Sequence, residues 1–372
     1  MSPKGLGWII VDSLDTMMLM NLTEPLADAR NLTWNQDQDI NTFETTICMM
    51  GGLLSAHYLS TQLPHIASKR DSVYLAKAVD LADRLLVAYD FSSGISYASV
   101  NIGKREGIVS HADGGASSTA EAATVQLPTG VKGPLSPKMD HLVCFLPGTI
   151  AMAVSSRDPF LAHLSDVMRQ ATEGRTLAEA LRDPNWTIHH EGDVKLAIEI
   201  MDTCWGMCAV TDTSLAPEIT WFNASNADLQ SQPGDRWLRT QGSALSKWKE
   251  DYTIKPLDAH NLQRPETVES VFMMYRITGN SIYREWGWKI LQSFQKHTIV
   301  PDGEGYTSLN DVRTAPPEAR DNMESFWLAE THKYLYLLFS PTDCMPLTEV
   351  VFNTEAHSFP RFTPKGSLKT GW

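Results

Sequence analysis

The chain has 372 residues and a formal net charge of −13, with 42% hydrophobic and 20% charged residues. That is ordinary globular composition, with enough apolar material for one large core or two small ones. An acidic chain without a basic patch excludes nucleic acid as a partner, and a neutral or polar ligand fits better.

The opening residues Met1-Ser-Pro-Lys-Gly5 carry no apolar signal core. The longest apolar run, Leu142–Val154, contains Pro147 and is too short to cross a bilayer, so no membrane segment is expected. Helical spacing of apolar residues dominates the rest. It predicts helices over Asp39–Leu59, Ser72–Phe91, Asp193–Val210, Thr267–Ile277, Ser281–His297 and Glu324–Phe339. Turn clusters at Gly114–Ser118 and Thr278-Gly-Asn280 fall between them. Glu349–Asn353 gives the best of few strand signals. Gly130–Pro137, Asn226–Gly242 and Arg313–Arg320 read as loops, and Ser358–Trp372 as a poorly ordered tail. No linker divides the chain, so a single all-α domain over residues 1–357 is expected.

Of the cysteines Cys48, Cys144, Cys204, Cys208 and Cys344, none shows zinc spacing, and the odd count leaves at least one thiol free. Cys204 and Cys208 stand one helical turn apart. Asn-x-Ser/Thr acceptors at Asn21, Asn31, Asn185 and Asn223 hint weakly at the secretory pathway.

The chemistry lies in the acids. In Asn261–Ser270, Pro265 suits a first helical position, and Glu266 and Glu269 then share one face just after Arg264. First-turn glutamates also favour the helix dipole, and that plainer reading stands beside the functional one. An arginine beside paired acids sets their charge states and grips sugar hydroxyls. Glu44 opens a helix that continues into Gly51-Gly-Leu-Leu54. Asp140 precedes the apolar run His141–Gly148, Glu218 lies in Ala216-Pro-Glu-Ile219, and Glu330 sits in an aromatic-rich helix. Each alone reads equally as a cap or a satisfied buried acid. Together they point to one shared cavity, because scattered buried charges cost too much. Sugar hydrolysis needs such a set: one protonated carboxyl for the leaving oxygen and one ionised carboxylate to activate water. In Val351-Phe-Asn-Thr-Glu-Ala-His357, the Thr354 hydroxyl and carbonyl are hard oxygen donors suited to calcium. A strand end with a polar turn is the plainer reading there, and Glu355 beside His357 is a further metal or acid/base pair.

These segments resemble glycoside hydrolase family 47, the class I α-1,2-mannosidases, with the endoplasmic-reticulum type as the nearest likeness. The likeness rests on Gly5-Leu-Gly with Val11-Asp-Ser-Leu-Asp-Thr16, Phe43–Tyr58, Gly114–Gln126, Gly130–Gly148, Ala216–Ile219, His260–Ser270, Met323–Phe339 and Val351–His357, in family order. It implies an (α/α)7 barrel and calcium-dependent, inverting removal of terminal α-1,2-mannose from high-mannose N-glycans, in the endoplasmic reticulum or Golgi. Family members are often membrane-anchored; for this chain a monomer is expected. The resemblance makes Glu44 the proton donor, and Asp140 and Glu266 the acids that act through water, without settling which is the base. Glu218 becomes a further catalytic acid. Arg264, Glu269, Phe326, Glu330 and Glu355 become sugar-binding positions, and Thr354 the calcium ligand. Cys204 falls in a half-cystine region whose partner stays open.

The departures are as informative. Cys48 stands where the family usually has Arg, which removes a cation and a hydrogen-bonding fork beside Glu44. Ser358 replaces a Pro and His332 a Leu. The family's opening helix is missing, and after Gln126 the chain jumps across several helices to the loop before Asp140. A full barrel needs well over ~400 residues at ordinary helix lengths with long active-site loops, so about two helix pairs are expected to be absent. A non-hydrolytic glycan-binding protein and an inactive truncated member are the alternatives.

Overall fold

The computed structural model describes residues 7–30, 37–90, 97–109, 137–155, 188–222 and 247–362. The chain begins with α1 (Trp8–Asp12) and α2 (Leu14–Leu19), joined at Ser13, whose hydroxyl donates to the Ile9 carbonyl at 2.6 Å. Asn21 takes a positive φ of 56° in the turn to α3 (Thr23–Ala29), a conformation Asn tolerates better than most residues. β1 (Asp39–Asn41) then runs straight into α4 (Thr42–Glu44), a π-helical segment (Thr45–Met50) and α5 (Gly51–Gln62).

The sequence placed one helix from Asp39. Its first three residues instead pair with β2 (Ser99–Asn101), and the helix starts late because Asn41 caps it. The extended Asn41 accepts from the Glu44 N–H at 2.8 Å, the usual N-cap bond. α6 (Ser72–Leu85) continues as a 3-10 turn over Leu86–Tyr89, and β3 (Glu106–Ile108) completes the antiparallel sheet β1-β2-β3.

β4 (Lys138–Asp140), a 3-10 turn (His141–Phe145) and α7 (Leu146–Ser155) follow, then the long α8 (Ile188–Ala209). β5 (Ile219–Phe222) lies between β4 and β6 (Tyr252–Thr253), both antiparallel to it. α9 (Glu266–Thr278) ends at Gly279, whose φ of 68° gives the left-handed stop that glycine accepts freely. Asn280 caps α10 (Ser281–His297) by accepting from the Ile282 N–H at 3.0 Å. The expected Thr278-Gly-Asn280 turn is therefore present. The last helical stretch, 325–339, contains a π-helical segment (Trp327–Thr331) before α11 (His332–Phe339).

β7 (Val350–Phe352) forms a hairpin with β8 (Ser358–Pro360). Those last residues were read as the start of a loose tail. They are ordered because Ser358 is fully buried, with its hydroxyl 2.9 Å from Ser55 Oγ. Arg313–Arg320 is irregular, as expected, with a cis bond before Pro316. Gly114–Ser118, Asn226–Gly242 and all of the expected Gly130–Pro137 loop but Pro137 lie outside the described residues.

The described residues gather into two compact units. Unit 1 comprises Met1–Pro134, Leu328–Lys333 and Met345–Trp372. Its core joins Val11, Leu14 and Met18 of the first helices to Met49, Leu53, Leu59, Tyr74, Leu81 and Ile102. Unit 2 comprises Leu135–Trp327 and Tyr334–Cys344. Its core is aromatic: Trp205 stacks on Trp286 at 5.2 Å, Phe294 and Tyr306 flank Trp327, and Phe272 meets Tyr334. Cys144 and Cys204 form a disulfide that ties the 3-10 turn after β4 to α8. It gives Cys204 the partner the sequence left open, and Cys48, Cys208 and Cys344 remain free thiols.

Candidate active site

Each unit contains its own cluster of acids. In unit 1, Asp12 and Asp15 flank the junction of α1 and α2, and both are fully buried. Asp15 is matched on all sides. Its Oδ1 lies 2.8 Å from the buried Lys333 ammonium and accepts from the Thr16 N–H at 2.9 Å. Its Oδ2 accepts from Ser55 Oγ at 2.8 Å and faces His357 Nδ1 at 3.1 Å. The other ring nitrogen of His357, Nε2, lies 3.2 Å from Asp12 Oδ1. An imidazole between two carboxylates satisfies both by carrying protons on both nitrogens. Burial alone lowers the His357 pKa, but attraction to Asp15 and hydrogen bonds to Asp12 and Asp15 outweigh it and raise it. Burial likewise pushes Asp15 up, yet Lys333 and His357 together hold it well below the usual carboxylate range.

Glycine makes this packing possible. A Cβ on Gly51 would stand 2.7 Å from the His357 ring, and one on Gly52 would stand 2.5 Å from the Val11 carbonyl oxygen. The Gly51-Gly52 pair therefore lets α5 lie directly against the β7–β8 turn and α1. That turn is locked by Asn353. Its Oδ1 accepts from the N–H groups of Glu355 (3.0 Å) and His357 (2.9 Å), and its Nδ2 donates to the Ile47 carbonyl at 3.0 Å. Thr354 sits exposed at the apex, and Ala356 takes a positive φ of 57°.

Glu44 is exposed at the end of α4. One turn on, the buried Cys48 thiol donates to Glu44 Oε2 at 3.9 Å. Burial pushes the Cys48 pKa far up, and the carboxylates of Asp12, Glu355, Glu44 and Glu330 push the same way. Both π-helical segments bear on this cluster: one holds Cys48 and the other holds the buried Glu330. Such widened turns re-aim side chains and recur at functional sites. Burial raises Glu355 to about 7, helped by Asp12 and Glu44 and opposed by His357 and a hydrogen bond with Glu330.

In unit 2, the β4–β5 register sets Asp140 opposite Ile219, beside Glu218. The His141 N–H donates to the Glu218 carbonyl at 2.8 Å. Asp140 is 42% exposed and pairs with Lys138 at 3.6 Å. Arg264 Nε donates to Glu218 Oε2 at 2.7 Å, and its guanidinium lies over the Phe326 ring at 5.6 Å. Gln263, just before it, is buried with a positive φ of 64°, a strained conformation of the kind found at active sites. Asn261 holds it there: Oδ1 accepts from the Gln263 N–H at 2.9 Å, and Nδ2 donates to the Ala216 carbonyl at 2.8 Å.

Glu266 starts α9 with Oε2 buried and without a hydrogen-bond partner. Burial lifts its pKa to about 7, and Glu218 adds to the lift, against its own backbone N–H and Arg264. Glu269, three residues on, rises to about 8 through burial and the Glu266 charge, opposed by a hydrogen bond with Tyr334. His141 is driven down to about 3 by burial and Arg264, so it is neutral, with Nε2 2.7 Å from Thr267 Oγ1.

Glu44, Glu330, Thr354 and Glu355 thus fall in unit 1, and Asp140, Glu218, Arg264, Glu266, Glu269 and Phe326 in unit 2. Reading the residues alone did not single out Asp12, Asp15, Lys333 or Tyr334. A signal existed: two acids three apart inside Val11-Asp-Ser-Leu-Asp-Thr-Met-Met18, and one lysine in the otherwise apolar Tyr334–Phe339 neighbourhood. Charges in such runs are buried and paired.

Comparison with known proteins identifies the family. The sequence model of glycosyl hydrolase family 47 matches residues 1–131 and 128–361. The two pieces meet where the sequence reading placed the internal gap. A mannosyl-oligosaccharide 1,2-alpha-mannosidase of Candida albicans is 38% identical over all of this chain and 79% of its own length. The match runs over 493 residues, so that relative holds residues with no counterpart here. Endoplasmic reticulum mannosyl-oligosaccharide 1,2-alpha-mannosidases of Saccharomyces cerevisiae and Homo sapiens are 34% and 33% identical over 100% and 97% of this chain, and 86% and 59% of theirs. The structure of an alpha-1,2-mannosidase from Trichoderma reesei superposes with a TM-score of 0.64 over 96% of this chain and 91% of that one, at 21% identity. That likeness shows the fold, an α/α-barrel class, consistent with the mostly helical chain. On the extent of the family match and the full-length identities together, the chain belongs to glycosyl hydrolase family 47.

Proposed function

We propose that the protein is a calcium-dependent, inverting exo-α-1,2-mannosidase that trims terminal mannose from high-mannose N-glycans. The observation that carries this reading is the spread of carboxyl charge states. Burial leaves Glu266 and Glu355 titrating near neutral pH and Glu269 slightly above it, while Glu218 is ion-paired with Arg264. Inverting glycoside hydrolysis needs acids poised in both forms. Glu44 donates a proton to the leaving oxygen. Asp140 or Glu266, ionised, takes a proton from the attacking water. Arg264 holds Glu218 in place, and the Phe326 face stacks on the sugar ring. Glu269, Glu330 and Glu355 hydrogen-bond its hydroxyls.

The residues present fit calcium. Thr354 offers a hydroxyl and a carbonyl at an exposed turn, and the neighbouring Glu355 has a buried Oε2 without a hydrogen-bond partner. These are hard oxygen donors, the set calcium prefers. Thr354 would hold the ion, which when bound supplies positive charge for hydroxyl coordination.

Residues 1–357 would act as one glycosidase domain and as a monomer. The relatives named as endoplasmic reticulum enzymes support a place in the secretory pathway, and N-glycan trimming there serves glycoprotein quality control. Incubation with a high-mannose glycan, with calcium and with a chelator, tests the proposal. Mannose release that requires calcium and yields the inverted β-anomer is expected. Glycan binding without release overturns hydrolysis and favours the lectin-like reading, to which the neutral Cys48 beside Glu44 and the internal gap lend weight.

A further inference from the structure

Unit 1 also holds a set of donor atoms that joins Glu355 to two residues the hydrolytic reading gives no role, Asp12 and Cys48. One carboxylate oxygen of Asp12, the Cys48 sulfur and one carboxylate oxygen of Glu355 lie within 4.8 Å of one another. Ligand atoms on a tetrahedral zinc ion, at about 2.0–2.3 Å from the metal, stand about 3.5 Å apart. The set closes onto an ion with shifts of about 1 Å, within reach of side-chain rotation.

A separate observation points to a missing cation. Asp12 is fully buried, yet its Oδ2 has no hydrogen-bond partner, and neither has the buried Oε2 of Glu355. An unsatisfied carboxyl oxygen in the interior is costly, and here two occur beside one thiol. The remaining Asp12 oxygen is oriented by His357 Nε2 at 3.2 Å, the kind of outer contact that fixes a metal-binding carboxylate.

We propose that Asp12, Cys48 and Glu355 form a thiolate site for a borderline-soft divalent ion of the zinc, cobalt and cadmium class, with water as the fourth ligand. A thiolate selects such ions over calcium and magnesium, which take oxygen. Binding replaces the Cys48 S–H proton by a metal–sulfur bond and releases that proton to solvent, with no change of oxidation state. Without metal the thiol stays protonated and donates to Glu44 Oε2; with metal that donation is lost, and the proposed proton donor gains a neighbouring cation.

Titration of the full chain with Co2+ in excess calcium tests this, with no need for enzyme activity. A thiolate-to-cobalt charge-transfer band should grow to one ion per chain, with proton release, and collapse on adding zinc. Cys48→Ser should abolish the band and weaken zinc by more than about tenfold, while Cys208→Ser and Cys344→Ser leave both unchanged. X-ray absorption of the zinc-loaded unaltered protein should show one sulfur neighbour at about 2.3 Å, which decides the matter even if Cys48→Ser fails to fold. An oxygen-only shell, no band in the folded protein, or a band that survives Cys48→Ser overturns the site.

Discussion

Asp15 in unit 1 and Glu266 in unit 2 are both withdrawn from water, and they end in opposite charge states. Asp15 has Lys333 and His357 against it, and its carboxylate stays ionised although burial opposes this. Glu266 has only its own N–H and a guanidinium already bonded to Glu218, so burial wins and its pKa climbs to about 7. Burial alone therefore does not decide the state of an acid; the number of cations committed to it does. In unit 1, Lys333 and His357 hold a buried knot together around Asp15. In unit 2, Arg264 is committed to Glu218 and leaves Glu266 and Glu269 near their titration points, as proton transfer requires.

The contrast can be broken at several points. The largest effect is expected at Glu44: Glu44→Gln should lower the rate of mannose release by about 10²–10⁴, the usual loss when a general acid is removed. An unchanged rate would remove it from the proton-donor role. Next, Lys333→Met strands Asp15 as a buried charge with one cation fewer, and should cost about 3–5 kcal/mol in chemical denaturation. A loss under about 1 kcal/mol would mean that His357 suffices alone, since that is the scale of an exposed pair.

Cutting the Cys144–Cys204 bridge with a Cys204→Ser change should cost about 2–4 kcal/mol in the same assay. Because both cysteines lie in unit 2, unit 1 signals in hydrogen exchange should be affected less.

Smaller still is the response at Glu266. Its folded pKa of about 7 lies above the unfolded value of about 4.3. The native state thus binds more protons between those values, and stability falls as pH rises through that window. Glu266→Gln should remove this fall and stabilise the protein at pH 8 by up to about 3 kcal/mol; a destabilised variant would contradict the raised pKa. Last, if Glu266 is the base, activity should rise with pH around about 7. Arg264→Leu should then move that limb upward, because the guanidinium lowers the Glu266 pKa.

Much of this was legible in the sequence. The helices over Ser281–His297 and near Thr267–Ile277 followed from apolar spacing, because the first buries one face and the second is buried nearly all round within unit 2. The late start of the helix at Asn41 was not, since an Asn can extend a strand, cap or turn, and only pairing with β2 decides. β8 was hidden by its own Pro360 and by Pro364, Gly366 and Gly371 after it, and its order depends on Ser358 meeting Ser55, three hundred and three residues away in sequence. At the site, the acids of α9 were visible because Arg264, Glu266 and Glu269 are near neighbours in the chain. The Asp12–His357–Asp15–Lys333 knot was not, because its members share no local pattern and meet only in the folded chain.

That knot constrains how the protein is made. Asp15 emerges from the ribosome well before Lys333 and His357, which follow on the order of tens of seconds later at about 5–20 residues per second. In the interval all of unit 2 is synthesised, while the nascent unit 1 carries an unneutralised acidic interior. Until the β7–β8 hairpin is made, unit 1 therefore lacks the groups that neutralise Asp15, and the packing of α1 and α2 against α5 stays incomplete.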